Sequence, residues 1–374
     1  MKLFNVYPLF DVTPVRAKGV YVFDENGVQY LDLYGGHAVI SIGHSHPTYV
    51  QSISEQLNRI GFYSNAVKNP LQIQLAEKLA IASNCNNYEL FMCSSGAEAN
   101  ENALKLASFH TNKPSIIAFE NSFHGRTSAA VASTDNPKIV APLNAQQDVQ
   151  FLALGDLKAV EITLQKGNTC AIIIECIQGV GGLDQSTTEF YKGLEVLCKQ
   201  YGAVLIADEV QSGFGRSGDF FAFQKHSITP HIISMAKGMG NGFPVGGILI
   251  HPEIQASYGL LGTTFGGNHL ACAATLSVLD VLETQSLMQN AQHMEIYFRE
   301  KAKEVPQILQ LKGRGLMLGL AFDFPVAELR KALLFKHNIF TGSSKNPNLI
   351  RILPPLTIKK EHIDTFFSAL KQEL

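Results

Sequence analysis

The sequence carries little charge, and its two signs nearly cancel. Charged residues make up 17% of the 374 positions, with 30 Lys and Arg against 32 Asp and Glu, which leaves a formal net charge of −2. Such a balance gives no reason to expect a nucleic acid or an anionic membrane as a partner. No apolar run reaches the length of a transmembrane helix, and the opening MKLFNVYPLFDV lacks the sustained apolar core and cleavage site of a secretory signal.

Cysteine is also scarce. The six cysteines are scattered and form no C-x-x-C pair, so neither disulfides nor a cysteine-based metal site is expected. Cys170 and Cys176 lie in apolar, strand-like context, which predicts buried free thiols in a reducing, cytoplasmic compartment. The P-loop motif of nucleotide-binding proteins is absent as well. Its absence argues against a non-catalytic module that binds nucleotide phosphates, which is the main alternative to an enzyme.

The most informative stretch is 203–247. Its first apolar run has the length and β-branched content of a buried parallel strand and leads into Asp208. A second apolar run leads into Lys237 and a glycine-rich turn. Ligands of open α/β sheets bind at the carboxyl ends of strands, so a carboxylate and an amine are expected at neighbouring strand ends.

Such an amine and carboxylate suit one cofactor in particular. An amine can form a Schiff base with an aldehyde, and a carboxylate can keep a pyridine nitrogen protonated. Together, Lys237 and Asp208 therefore suggest pyridoxal phosphate (PLP). A turn-forming Asp beside a solvated Lys is the alternative on these two residues alone.

Other strand ends carry polar groups as well. The strand predicted at 89–93 leads through Ser95, Gly96 and Ala97 into a helix, and the N-terminus of a helix can cradle a phosphate. Ser95 with Glu98 also fits a plain capping box, and both interpretations are compatible. Because strand, polar end and helix recur four times over 89–250, we predict an α/β fold with a mostly parallel sheet.

Two further loops follow strands of this kind. The run 115–119 precedes Phe123, which can stack on a planar ring, and Arg126, which can hold a carboxylate through two hydrogen bonds. A core Phe and a surface Arg would look the same in sequence. The run 171–175 ends in Glu175 and a glycine turn.

The flanking regions differ in character from this core. Residues 20–33 predict a β-hairpin around Asn26-Gly27, and helices alternate with short strands after residue 280. We predict a large α/β domain over 46–279 and a smaller α+β domain built from 1–45 and 280–374. The HSHP segment at 44–47 fits a turn into a helix better than a metal site, since no further ligands are spaced around it.

These motifs, in this order, resemble the class III (ω-amino acid) aminotransferases of PLP fold type I. The resemblance runs through FDENGVQYLDLYGG, IGHSHP, SGAEANENALKLA, FHGR, IIECIQG, ADEVQSGFGRSG, MAKGMGNGFPVGG and GTTFGGN, and it covers nearly the whole chain. Within this family, the chain is most similar to the branch that acts on acetylornithine and succinylornithine. The similarity lies in its short length and in the segments FHGRT and GTTFGGNHLACAA. That branch implies transfer of the δ-amine of an N2-acylornithine, acetylornithine being favoured, to 2-oxoglutarate in arginine metabolism. Succinylornithine, ornithine and 4-aminobutyrate are the alternative donors.

The resemblance also implies roles for single residues. Lys237 matches the lysine that holds PLP, Asp208 the carboxylate at the pyridine nitrogen, and Gln211 the group near the 3-hydroxyl. The remaining cofactor residues match the phosphate loop (Ser95, Gly96, Ala97), the stacking aromatic (Phe123) and a threonine contributed by the other subunit of a homodimer with shared active sites (Thr264, beside Thr263).

Two arginines match the substrate site of the family. Arg126 matches the arginine for the carboxylate of the acylornithine, and Arg351 the arginine for the α-carboxylate of 2-oxoglutarate. Val180 departs from the family, which usually has a glutamate there that neutralises the second arginine while the ω-amine donor is bound. We therefore expect Arg351 to keep water or an anion, or to pair with another carboxylate such as Glu175.

Overall fold

The computed structural model describes the whole chain, Met1–Leu374. Its strands are β1 (Pro14–Lys18), β2 (Tyr21–Asp24), β3 (Gln29–Asp32), β4 (Glu89–Cys93), β5 (Ser115–Phe119), β6 (Val149–Leu152), β7 (Thr169–Ile174), β8 (Val204–Asp208), β9 (Ile232–Met235), β10 (Gly246–Ile250), β11 (Gln310–Arg314), β12 (Met317–Ala321), β13 (Ile339–Phe340) and β14 (Leu349–Ile352). Its helices are α1 (Gly35–Ala38), α2 (Pro47–Arg59), α3 (Pro70–Ser83), α4 (Gly96–Thr111), α5 (Ser128–Ala132), α6 (Leu157–Leu164), α7 (Thr188–Tyr201), α8 (His269–Thr284), α9 (Leu287–Lys303), α10 (Ala327–His337) and α11 (Lys360–Glu373).

A seven-stranded sheet forms the centre of the molecule, in the order β4-β10-β9-β8-β7-β5-β6. Six strands are parallel, and only β10 runs antiparallel to both of its neighbours. The predicted mostly parallel α/β sheet is therefore confirmed. The strand-and-helix recurrence did not predict β6 or β10, because β10 opens with two glycines and β6 is a short strand with only partial burial.

Both faces of this sheet are covered, as the continuous apolar strands require. On β7, Ala171 and Ile173 pack in a cluster with the inner residues of α4, while Ile172 and Ile174 belong to the larger core that includes α7. All six cysteines are buried and unpaired, as predicted. With both faces closed, the carboxyl edge of the strands is left to carry the polar loops.

The two ends of the chain meet in one small sheet. The predicted hairpin forms from β2 and β3, and β13 pairs in parallel with β3 through Leu31 and Ile339. A second antiparallel sheet has the order β11-β12-β14. Within this sheet, β11 and β12 form a hairpin. The pairing supports a small domain built from both ends, although its boundaries at 45 and 280 stay a prediction.

The short segment α1 is a left-handed turn. Its four residues have positive φ values: Gly35 54°, Gly36 56°, His37 68° and Ala38 64°. Non-glycine residues rarely adopt this conformation in succession because Cβ crowds the following carbonyl oxygen. From sequence alone, Gly35 and Gly36 indicate irregular chain but not this left-handed turn.

By length and composition, no single helix of the chain passes as a membrane span. The bent pair α8 and α9, whose axes differ by 61°, passes only when the two helices are taken together.

Candidate active site

A cavity of about 410 Å³ opens at the carboxyl edge of the central sheet. It gathers side chains from the loops after β4, β5, β7, β8 and β9, as the strand-end argument predicted. The predicted residues that line it are Ser95, Gly96, Ala97, Phe123, Arg126, Glu175, Asp208, Gln211 and Lys237, together with Val180.

Asp208 lies at the end of β8 and is held by three donors. Its Oδ2 accepts a hydrogen bond from Nδ2 of Asn100 at 2.8 Å and lies 2.7 Å from Nδ1 of His124. Its Oδ1 accepts from the amide of Val210 at 3.0 Å. Asn100 also donates to the carbonyl of His124, so α4 and the loop after β5 brace the carboxylate from one side. Neither Asn100 nor His124 was predicted to contact Asp208, although they lie within the SGAEAN and FHGR motifs.

Lys237 follows β9 at the base of the cavity. Its φ of 48° places it in the left-handed region, a conformation that a lysine adopts only when surrounding structure imposes it. Desolvation lowers the pKa of its amine, and the carboxylates of Asp208 and Glu175 oppose that shift. A lowered pKa increases the fraction of neutral amine, which is the form that attacks a carbonyl carbon.

The first turn of α4 points its free amides at the cavity. The Oγ of Ser95 caps the amide of Glu98 at 3.2 Å, and the Glu98 carboxylate accepts from the amide of Ser94 at 2.9 Å. The predicted capping box thus exists in modified form. The amides of Gly96 and Ala97 are left without intrahelical acceptors, which suits a phosphate group. A Cβ on Gly96 would lie 2.5 Å from Cγ1 of Val210, so only glycine fits this close approach.

Glu175 is a buried carboxylate that joins two loops. Its Oε1 accepts from the amide of Phe123, and its Oε2 from the amide of Gly179, each at 2.9 Å. Desolvation raises its pKa to about 7, with His124 opposing and Asp208 supporting the shift. Both oxygens are occupied by backbone amides. This glutamate therefore positions the Phe123 loop and is not bonded to Arg351.

The expectation that a carboxylate such as Glu175 pairs with Arg351 is wrong for this structure. Arg351 is buried on β14 and donates from Nη1 to the carbonyl of Gly179 at 2.8 Å, from Nε to the carbonyl of Ser343, and more weakly from Nη1 to the amide oxygen of Gln211 at 3.5 Å. All these acceptors are neutral. The charge of the guanidinium is thus solvated by neutral dipoles, and no carboxylate is hydrogen-bonded to it.

Three predicted substrate or cofactor residues, Arg351, Thr263 and Thr264, do not line the cavity. Arg126 does line it and is exposed at its mouth, where a substrate carboxylate could reach it. Thr263 lines a separate pocket near the edge strand β4, and Thr264 is exposed.

Comparison with known proteins decides the family. The model of the family described as Aminotransferase class-III matches residues 5–374. The chain is a class III aminotransferase. It is 39% identical to the acetylornithine aminotransferase of Bacillus subtilis over 100% of this chain and 97% of that one, and 40% identical to that of Aquifex aeolicus over 100% and 99%.

Solved structures agree with this placement. The ornithine aminotransferase of Toxoplasma gondii aligns with this aminotransferase at a TM-score of 0.91 and 26% identity, covering 98% of this chain and 91% of that one. Another structure of that enzyme contains PLP at its active site. An aminotransferase of Bacillus anthracis shares the fold at a TM-score of 0.90 and 24% identity over 99% and 95% of the two chains.

PLP is the cofactor of class III enzymes, and the cavity fits it. The free amides of Gly96 and Ala97 suit the phosphate, Asp208 suits the pyridine nitrogen, and Lys237 suits the aldehyde. These residues of one chain would therefore hold the phosphate, the pyridine nitrogen and the aldehyde of the cofactor.

Proposed function

We propose that this aminotransferase transfers the δ-amine of an N2-acylornithine, with acetylornithine favoured, to 2-oxoglutarate by a ping-pong mechanism. The observation that carries the proposal is full-length similarity of 35–40% to acetylornithine aminotransferases from bacteria and archaea. The products would be an N-acylglutamate semialdehyde and glutamate. The six unpaired thiols support a reducing, cytoplasmic compartment.

The positions of the side chains in the cavity support the role proposed for each of them. PLP, when bound, supplies the aldehyde and the pyridinium electron sink. Asp208, fixed by Asn100 and His124, would hold the pyridine nitrogen of the bound cofactor. Lys237 Nζ takes the proton from the δ-carbon of the donor and returns it as general acid. The acyl group blocks the α-amine, so only the distal amine reaches Lys237.

Two arginines would bind the two substrates in turn. Arg126 at the mouth would receive the α-carboxylate of the acylornithine, and Arg351, buried beside the cavity residue Gln211, would receive the α-carboxylate of 2-oxoglutarate. Arg126 satisfies one carboxylate, and the cavity presents no other exposed arginine at its mouth for a succinyl group. This favours the acetyl donor over the succinyl donor.

A donor panel tests the substrate. N2-acetylornithine, N2-succinylornithine, ornithine and 4-aminobutyrate are compared with 2-oxoglutarate as acceptor. We expect the highest kcat/KM with acetylornithine, by about tenfold over ornithine, because ornithine lacks the blocking acyl group. A higher kcat/KM on succinylornithine would overturn the acetyl choice, and one on ornithine or 4-aminobutyrate would overturn the proposal.

The Lys237 assignment has its own test. The Lys237→Ala variant should bind PLP without a covalent link, so borohydride should no longer attach the cofactor to the chain, and turnover should fall by at least about 10²-fold. Near-normal activity in this variant would show that another group carries the proton.

We also propose a homodimer with shared active sites. Thr264 lies on an exposed glycine-rich loop outside the cavity of its own chain. A threonine at this position in relatives binds the phosphate of the neighbouring subunit, as the family resemblance implies. The site would then be incomplete in a single chain.

A further inference from the structure

Two guanidinium groups lie on neighbouring segments and form no ion pair with a carboxylate, although Glu175 acts on Arg351 at longer range. Arg351 comes from β14 and Arg330 from α10, and the ring of Tyr34 lies near both. Burial lowers the pKa of each guanidinium; Tyr34 opposes the shift in both, and Arg330 lowers that of Arg351 further. Every hydrogen-bond acceptor of the two groups is a neutral oxygen, supplied by Thr341, Ser343, Gly179 and Gln211. Uncompensated positive charge in a partly dry site is costly until an anion arrives.

Arg330 also touches the segment that orients Arg351. Its Nη2 donates to the carbonyl of Thr341 at 2.8 Å. The next residue, Gly342, exchanges two backbone hydrogen bonds of 2.9 Å with Arg351, and the residue after it accepts from Nε of Arg351. A change at Arg330 therefore reaches Arg351 through one short stretch of backbone.

Spare hydrogen-bonding capacity remains in the same cluster. Nε of Arg330 and Oγ1 of Thr341 are both buried and have no hydrogen-bond partner. Buried polar groups of this kind are normally satisfied, and a missing partner indicates a water or a ligand atom.

We propose that Arg330 is a positioning residue for the carboxylate that Arg351 receives, and that it acts on the 2-oxoglutarate half of the reaction. The inference rests on the proposed role of Arg351. Arg330 adds a second positive charge behind the site and holds 341–343 in place. The ω-amine donor brings no carboxylate to this end of the cavity, so it gains nothing from Arg330.

The test separates the two half-reactions in holoenzyme by following cofactor absorbance in single turnovers. The variants are Arg330→Gln, Arg330→Lys and, as matched control, Lys331→Gln on the same helix. Lys331 is exposed and pairs only with Glu328 at 2.8 Å, so this control removes a neighbouring positive charge outside the cluster.

Arg330→Gln should raise the 2-oxoglutarate concentration needed for half-maximal rate by about tenfold, as expected when one charge of a buried site is lost. The donor half should change by less than about twofold, Arg330→Lys should recover most of the loss, and Lys331→Gln should behave as the parent. Equal losses in both halves would assign Arg330 a purely structural role and overturn the proposal, as would an unchanged acceptor half.

Failure of the proposed donor is distinguishable from failure of this inference. The acceptor half is measured with glutamate and 2-oxoglutarate alone, which need no acylornithine. If acetylornithine does not react with the parent, the donor half is measured with whichever ω-amine of the panel does. The contrast between the two halves then still decides the role of Arg330.

Discussion

Val180 leaves Arg351 without an internal competitor. In this chain the guanidinium is held by the carbonyls of Gly179 and Ser343, and the backbone of Val180 is itself fixed by the amide of Lys345 at 2.9 Å. A glutamate at position 180 would stand beside the same guanidinium. We therefore expect the balance between the two half-reactions to depend on the uncharged side chain of Val180.

Two variants test this balance. Arg351→Ala should damage the 2-oxoglutarate half far more than the acylornithine half, because only the former brings a carboxylate to Arg351. Val180→Glu should shift the balance towards the acylornithine half by about 1–3 kcal/mol, the range of a hydrogen bond to a charged group. Single-turnover rates of each half decide both points, and equal losses in both halves for Arg351→Ala would contradict this view.

Glu209 predicts a pH dependence of stability. Its carboxylate is buried after β8 and accepts from the amides of Ala222 and Phe223, both at 2.9 Å, and from the hydroxyl of Ser212. Desolvation raises its pKa to about 7 from 4.5, an effect that these hydrogen bonds oppose. A raised carboxyl pKa stabilises the fold fully below pH 4.5, and this contribution is lost as the pH rises through 7.

Relative to the parent, Glu209→Gln should therefore become more stable as the pH rises from 5 to 8, by up to about 3 kcal/mol. This change adds to a pH-independent cost, because the NH2 of Gln would face a backbone amide from which the carboxylate accepts. Apparent Tm by calorimetry at each pH measures the trend, and Glu300→Gln on the exposed face of α9 is the control. A difference that stays constant with pH would show that Glu209 is ionised throughout.

Site residues were predictable to different degrees, for a physical reason. Strand ends and glycine turns identified Asp208, Lys237 and Gly96, because their chemistry follows directly from local sequence. Asn100 was missed, since it meets Asp208, 108 residues away, only after α4 packs on the sheet. Arg330 was not predicted either, because the absence of a carboxylate partner and the unbonded Nε become visible only once α10 is packed.

At the scale of elements, α1 is the departure from ordinary helix geometry. It lies between β3 and the cavity residue Val39, and Asp32 fixes its start by accepting from the amide of Gly35 at 2.7 Å. A Cβ on Gly35 would lie 2.7 Å from the carbonyl oxygen of Leu353, whereas a Cβ on Gly36 would meet nothing within 4 Å. A substitution at Gly36 therefore measures the cost of the left-handed backbone conformation without adding a steric clash.

Gly36→Ala should destabilise the fold by about 1 kcal/mol through backbone conformation alone. Gly27→Ala in the hairpin turn, where φ is 81° and space is also open, should cost a similar amount. Apparent Tm values of both variants provide the comparison. A neutral Gly36→Ala alongside a destabilising Gly27→Ala would show that residue 36 does not need a left-handed conformation.

Strand β10, one of the two that the sequence did not predict, also depends on glycines at positions of close packing. β10 begins with Gly246 and Gly247, and glycine is depleted in strands because it has no side chain to pack. Here a Cβ on Gly246 would lie 2.6 Å from the carbonyl oxygen of Ser95, and one on Gly247 2.8 Å from that of Phe91. The glycines allow β10 to lie against β4 beside the phosphate loop, a tertiary demand that local propensity cannot express.

At the scale of the whole molecule, the proposed dimer predicts a cofactor phenotype for a residue outside its own cavity. Thr264→Val should weaken PLP retention, since the hydroxyl would be lost from the phosphate of the neighbouring subunit. Dialysis followed by absorbance measures retention, and light scattering measures the assembly. A fully active monomer at assay concentration, or unchanged retention in Thr264→Val, would contradict the shared site.

The pairing of β3 with β13 has a consequence for the order of events at the ribosome. Leu31 and Ile339, which face each other in the finished sheet, are separated by most of the chain. At ~5–20 residues per second, the N-terminal hairpin would wait roughly 15–60 s for its partner strand. The central sheet, made from one continuous stretch, can form in that interval, whereas the small sheet closes only after the last strands emerge. A truncated chain ending before β13 should therefore leave the hairpin sensitive to protease while the sheet around Asp208 and Lys237 is already protected.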